Sequence, residues 1–201
     1  MPAPFDAIIF DLGGVIVAHD NRVLVERLAS RCPEAVTARD VGALIRRRSW
    51  ETGAPIAELH GQLQGELGYG EAWDRFVEDW SCHLALDPAM LAFAQSLAVH
   101  NRVMLFSNTN QPHWDHLVSL SGGALSAFEA HLSHEMGRAK PSVESFAMVA
   151  ERSGIEPSRS IFFDDVAANV EGAWAAGFEA EVFESQAQLE ALLKGRGVRL
   201  G

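Results

Sequence analysis

Asp11, Ser107-Asn108 and Asp164-Asp165 are the residues of this chain best placed to do chemistry. Each group stands directly after a short apolar run: Ala7 to Phe10, Val103 to Phe106 and Ile161 to Phe163. If those runs are strands of one open α/β sheet, the polar residues at their carboxyl ends converge on one crevice. Asp11, Asp164 and Asp165 then face one another, and like charges that close cannot all stay ionised without compensation. A divalent cation is the simplest remedy. Oxygen donors with no His or Cys cluster among them favour magnesium, which is held by carboxylates, waters and substrate phosphate oxygens. Asp164, taken alone, also suits the cap of a following helix, but three acids at converging strand ends favour ligands.

Ser107 and Asn108 offer hydroxyl, amide and backbone donors suited to an oxyanion. Lys140 precedes Pro141, which favours an extended residue 140 with a helix starting soon after it, so its ammonium can reach a phosphate near that helix N-terminus. The 16 basic residues are 14 arginines and only two lysines, Lys140 and Lys194. In a chain that prefers arginine so strongly, a lysine at 140 marks a place for a compact ammonium that a guanidinium would not fit. Lys194 reads as a surface residue of a terminal helix.

Positioning these groups requires strands buried on both faces with helices between them. The three apolar runs and a fourth, Ala180 to Phe183, are continuous and bounded by polar turns, as in a parallel sheet. Helical stretches run from Met90 to Val99, His113 to Leu120, Val143 to Arg152, Ala167 to Ala176 and Gln186 to Lys194. The alternation predicts an α/β fold with a doubly wound parallel sheet. From Ala18 to Leu86 that rhythm breaks: no good strand is visible, and four amphipathic stretches lie near 22–31, 38–50, 56–67 and 71–84, punctuated by Pro33, Gly53, Pro55, Gly68 and Gly70. The expected organisation is therefore a core from residues 1–17 and 87–201, with a helical cap subdomain, residues 18–86, inserted after the first strand.

The chain has 201 residues, a formal net charge of −11 and 48% hydrophobic residues, enough for a sizeable core. Arg46-Arg47-Arg48 is its longest basic run, a poor footprint for nucleic acid. Cys32 and Cys82 are too few for a disulfide framework or a closed zinc site and read as small hydrophobes of a reducing compartment. No basic leader is visible and no apolar run approaches the roughly 18 residues of a membrane span. A cytoplasmic protein, monomer or homodimer, with no nucleic-acid or membrane partner, is expected. His113 with His116, and His131 with His134, have metal-compatible spacing but no accompanying motif, and read as structural or solvated. Trp50, Glu51, Trp80 and His83 in the cap, with the Arg46 to Arg48 run, form an aromatic and polar mixture of a kind that can select a sugar, but cap packing for the tryptophans and a solvated helix face for the arginines is the preferred reading.

Four segments carry a resemblance. Phe10-Asp11-Leu12-Gly13-Gly14-Val15-Ile16, Leu105-Phe106-Ser107-Asn108-Thr109-Asn110, Gly137-Arg138-Ala139-Lys140-Pro141 and Phe162-Phe163-Asp164-Asp165 with Asn169 resemble the four ordered motifs of the haloacid dehalogenase superfamily. The first two are similar, more narrowly, to bacterial phosphatases of the α-D-glucose-1-phosphate type and to the amino-terminal phosphatase domain of soluble epoxide hydrolases. The resemblance implies a Rossmann-like core and a phosphatase acting on a small phosphorylated substrate. It makes Asp11 the nucleophile that becomes an aspartyl-phosphate. It gives Mg2+ to Asp11, Asp165 and the Gly13 carbonyl, with Asp164 in support. Ser107, Asn108 and Lys140 would grip the phosphoryl group, and Asn169 would orient Asp165 from behind.

One position departs from that pattern. Most phosphatases of the superfamily carry a second acid two residues after the nucleophile, and here Gly13 occupies that place. A positioned acid or base is worth about 10²- to 10⁴-fold. Either the leaving group needs little protonation, as an anomeric oxygen would, or another group substitutes; His19, Asp20, Asn110 and His113 are the nearby candidates. The superfamily's 2-haloacid dehalogenases also lack that acid and work without metal, which keeps a dehalogenase as the principal alternative. A non-catalytic phosphate-binding protein is the third reading.

Overall fold

The computed structural model describes residues 4–200; residues 1–3 and 201 of the expected core span lie outside it. In chain order, β1 (Ala7–Phe10) and β2 (Val17–His19) precede four helices, α1 (Asn21–Ala29), α2 (Ala38–Ile45), α3 (Ile56–Leu67) and α4 (Trp73–Ser81). Then come β3 (Leu84–Leu86), α5 (Pro88–Ala98), β4 (Val103–Ser107), α6 (Gln111–Leu120), β5 (Glu129–Leu132), α7 (Ser133–Met136) and α8 (Val143–Ser153). The chain finishes with β6 (Ser160–Asp164), α9 (Ala167–Ala175), β7 (Glu179–Val182) and α10 (Gln186–Gly195). Five strands form one parallel sheet in the order β5-β4-β1-β6-β7. The chain works outward from β1 in one direction, then returns to its other side, so the topological switch lies between β1 and β6. That is where open α/β sheets form their crevice.

Strand alternation divides the core. Ile8, Phe10, Leu105, Ile161 and Phe163 pack on one face with α5 and α10, whereas Ile9, Met104, Phe106 and Phe162 pack on the other with α8 and α9. The register pairs Phe10 with Leu105 and Phe163. One residue further, Asp11 and Asp164 stand side by side, and alternation turns both toward the α8 and α9 face, the face Lys140 approaches. Helix α9 can lie close there because residue 172 is glycine: a Cβ at that position would stand 2.2 Å from the Pro141 carbonyl oxygen.

Helices α1 to α4 surround a core of their own, including Leu28, Leu44, Leu59, Leu63 and Phe76. Buried Asp79 knits them together, paired with Arg27, Arg31 and Arg75 and accepting from the Tyr69 hydroxyl at 3.1 Å. Two expectations need correction. The span 18–86 does contain strand: β2 and β3 pair antiparallel, Val17 opposite Leu86 and His19 opposite Leu84. Three residues are too few to display a period of two, and the stretch expected as helix to Leu84 ends at Ser81. Strand β5 was not expected at all. It is a sheet edge whose Glu129 pairs with Arg102 at 2.6 Å and whose His131 ring bonds the Ser153 hydroxyl at 2.7 Å, so it lacks the apolar run of an inner strand. Among the described residues no helix is long and apolar enough to cross a membrane.

Candidate active site

Asp11 lies one residue past β1, largely buried. Its Oδ1 accepts from the Leu12 N–H at 2.7 Å and stands 2.9 Å from the Lys140 ammonium, while Oδ2 has no hydrogen bond among the described residues. The Lys140 side chain is wholly buried. Its Nζ donates to the Phe106 carbonyl at 3.0 Å and to Asp164 Oδ2 at 2.6 Å. It also sits 5.3 and 5.2 Å from the ring centres of Phe106 and Phe162, which adds a cation–π attraction. The ammonium is thus hydrogen-bonded to Asp164 and the Phe106 carbonyl and ion-paired with Asp11.

Asp164 is equally committed. Its Oδ1 accepts from the Val166 N–H at 2.9 Å, and the Asn169 amide donates to both of its oxygens at 3.0 Å. Asn169 therefore holds Asp164; the expectation that it orients Asp165 is not what the geometry has. Asn108 is likewise turned toward the lysine segment. Its Oδ1 accepts from the Lys140 N–H at 2.9 Å and its Nδ2 donates to the Lys140 carbonyl at 3.0 Å. These bonds leave the backbone N–H of Asn108 and the Ser107 hydroxyl as donors with no partner among the described residues. The β4 loop is pinned once more by a reciprocal pair: the Thr109 N–H donates to Ser133 Oγ at 2.9 Å, and that hydroxyl donates to the Thr109 carbonyl at 3.1 Å. Sequence reasoning missed Ser133 because β5 and α7, which place it, carried no apolar signal.

Asp165 stands against the β1 loop. Gly14 has φ +70°, and a Cβ there would lie 2.1 Å from the Asp165 carboxylate carbon, so only glycine permits both the turn and the acid's position. The need was legible in the Gly13-Gly14 pair; its partner was not. One carboxylate oxygen each from Asp11, Asp164 and Asp165 fall within 4.8 Å of one another, and no other group of three potential ligands occurs among the described residues, so the histidine pairs form no such group. Burial pushes the Asp11 carboxyl up to about 6; the Lys140 charge opposes that rise and the Asp164 charge adds to it. Asp165 is also raised, by burial and then by the charge of Asp164. One ammonium does not compensate this cluster. An oxygen-only donor set with surplus negative charge fits a hard divalent cation.

Beside these groups opens a cavity of about 500 Å³. Its core wall includes Gly13, His19, Ser107 and Asn108, and its other wall comes from the α2 end and the loop after it, with Arg46, Trp50 and Glu51. Three of the candidates for the missing acid are otherwise engaged. Asp20 caps α1 and pairs with Arg22 at 2.8 Å, and Asn110 caps α6. His113 bonds the Trp80 carbonyl through Nε2 at 3.1 Å and the Asn110 amide through Nδ1 at 3.1 Å. The fourth, His19, lies beside Gly13, its Cε1 3.7 Å from where a Cβ on that glycine would be.

Burial drives the pKa of His113 down to about 3 and that of neighbouring His83 down to about 4, so both are neutral near pH 7. The unfolded chain takes up these protons below about 6.5 while the folded one refuses them, so stability is lost as pH falls through that window. At pH 5, His113 alone is expected to cost roughly 2 kcal/mol relative to pH 7. Urea unfolding at the two pH values checks this: His113→Gln should show a visibly smaller acid loss than the parent, and an equal loss would assign the effect elsewhere.

Comparison with known proteins agrees with this geometry. Residues 5–177 match the family model described as haloacid dehalogenase-like hydrolase. A haloacid dehalogenase (HAD) family enzyme from Bacteroides thetaiotaomicron, solved with magnesium and inorganic phosphate, superposes with a TM-score of 0.79 at 23% identity, over 92% of this chain and 98% of that one. A predicted HAD-like family hydrolase from Porphyromonas gingivalis gives 0.81 at 23%, over 96% and 99%. A 2-haloacid dehalogenase from Pseudomonas syringae gives 0.66 at 17%, over 95% and 99%. At these identities the structures establish a shared fold, and the family match adds the membership: this chain belongs to the haloacid dehalogenase-like hydrolases.

Proposed function

We propose that the chain is a magnesium-dependent phosphatase that hydrolyses a small phosphomonoester of the sugar-phosphate class through an aspartyl-phosphate on Asp11. The observation that carries this reading is the placement of Asp165 beside Asp11. A second, exposed carboxylate next to the nucleophile is a burden to a dehalogenase, and it is useful where a cation is held. The Bacteroides relative, solved with magnesium and phosphate, supports the same choice.

Asp11, Asp165 and the Gly13 carbonyl would hold the ion, with Asp164 lending its charge from behind Lys140. Magnesium bound there supplies positive charge against the phosphoryl oxygens, worth several kcal/mol. Lys140 fixes Asp11 Oδ1 and keeps that carboxylate ionised, which leaves Oδ2 as the attacking oxygen. The Ser107 hydroxyl and the Asn108 N–H are the donors available to phosphoryl oxygens, while the Asn108 side chain holds the lysine segment. This revises the direct grip on phosphate expected of Lys140: the ammonium acts on the nucleophile. Helices α1 to α4 serve as a cap over the cavity, shielding the first step from water.

A panel of sugar phosphates, nucleotides and p-nitrophenyl phosphate tests the reading with magnesium or with chelator. Phosphate release is expected with magnesium and should fall by about 10²-fold or more without it. Metal-independent halide release from a 2-haloacid, with no phosphate release, would replace the phosphatase by the dehalogenase.

A further inference from the structure

We infer that Glu51, carried on the loop between α2 and α3, is the proton donor and acceptor of the reaction, replacing the acid absent at Gly13. The inference rests on the phosphatase reading above. In an in-line displacement the leaving oxygen lies on the side of phosphorus away from Asp11. A group that protonates it must therefore face the cavity, and Glu51 is the carboxylic acid lining that cavity.

Glu51 is left unpaired by the arginines closest to it in sequence. Glu58 and Glu66 in the same helical unit are tied to Arg48 and Arg47, whereas Glu51 has no hydrogen bond or ion pair among the described residues. Arg48 instead turns to Glu58 and to the face of Trp50. The charged and titratable groups facing Glu51 are Lys140 and His19, close enough for their charges to be felt, with Arg46, Arg48, His83 and His113 also lining the cavity. Glu51 keeps solvent exposure where it lines the cavity, and desolvation by the surrounding walls still raises its carboxyl above its ordinary range against the pull of Lys140 and His19. An acid so placed can hold a proton until it is needed.

The two steps balance. As Asp11 Oδ2 bonds to phosphorus, the ester P–O bond breaks and the Glu51 proton passes to the leaving oxygen, releasing the alcohol. Glu51 carboxylate then takes a proton from water as that water's oxygen attacks the aspartyl-phosphate. Phosphate leaves, Asp11 returns as carboxylate, and Glu51 is protonated again.

Leaving-group dependence tests the assignment. p-Nitrophenolate departs without protonation and an alkoxide does not, so in kcat/KM, which reports the steps up to release of the leaving group, Glu51→Gln is expected to lose about 10²-fold or more on an alkyl phosphate and under about threefold on p-nitrophenyl phosphate, while kcat falls on both because the aspartyl-phosphate is common to them. Unchanged thermal unfolding shows that the variant is folded, and Glu51→Asp should recover part of the alkyl activity. An equal loss of kcat/KM on both substrates, or no loss, overturns the proposal. So does a selective loss in His19→Gln with Glu51→Gln unaffected. Absence of phosphate release by the parent protein on either substrate fails the phosphatase reading itself.

Discussion

Lys140→Met is expected to destabilise the metal-free protein by about 3–5 kcal/mol, because it strands buried carboxylates that the ammonium had paired. Methionine matches lysine in length and suits the space between the Phe106 and Phe162 rings, so lost packing is minimal. What disappears is one charge, its ion pair with Asp11, and two hydrogen bonds, to Asp164 and the Phe106 carbonyl. Asp164 keeps Asn169 and the Val166 N–H; Asp11 keeps only Leu12. Asp11, raised by burial and held down by the Lys140 charge, then gains affinity for protons in the folded state. The folded variant holds that proton above the value of about 6 at which the folded parent gives it up, so its deficit should grow as pH rises through that region. Urea unfolding in chelator at pH 5 and pH 8 measures it. A deficit below about 1 kcal/mol at pH 8 would mean that the lysine does not hold these loops together. Lys140→Arg should not rescue, since a wholly buried site shaped for an ammonium has no room for a guanidinium.

Asp11→Asn should act in opposite directions on activity and stability. Loss of the attacking oxygen is expected to lower phosphate release by on the order of 10⁴-fold or more, measured with saturating magnesium. The amide can still accept from Leu12 and Lys140 through Oδ1 while shedding a charge that burial and Asp164 both disfavour. In chelator at pH 7 the variant should therefore be more stable than the parent by roughly 1–3 kcal/mol, the usual sign where an active site is held against its own repulsion. An inactive variant that is also less stable would point to a structural role for Asp11. Undiminished turnover would remove it as the nucleophile.

The parts of the site carried by inner strands were legible, because an uninterrupted apolar run announces its own end and the residue after it. Asp11, Ser107 and Asp164 follow directly from that rule. Lys140 was legible from its rarity and the proline after it, but not the destination of its ammonium. That destination depends on Asp11 and Asp164 alternating onto the same sheet face, which needs the register. Asn108 and Asn169 were found as site residues, yet their partners lie in other segments and no local pattern specifies them. Strand β5 and the β2–β3 pair stayed hidden for a different reason. An edge strand and a three-residue ladder bury too little to need an apolar pattern.

That short ladder has a bearing on how such a molecule can diversify. Val17 and Leu86 are opposite each other, so the whole helical unit leaves and rejoins the sheet body at adjoining points. Cross-strand neighbours lie about 5 Å apart, a gap that a tight turn can span. Beyond those two ends the insert meets the core where α4 lies against α6, with Trp80 stacked on His113, and not at β1. Lengthening, trimming or exchanging it places no stretch on β1, so Asp11 and the loops around it can stay fixed while the roof over the pocket is replaced. The carboxylate cluster and the far wall of the cavity thus lie on separate stretches of one chain, joined at a seam of six residues.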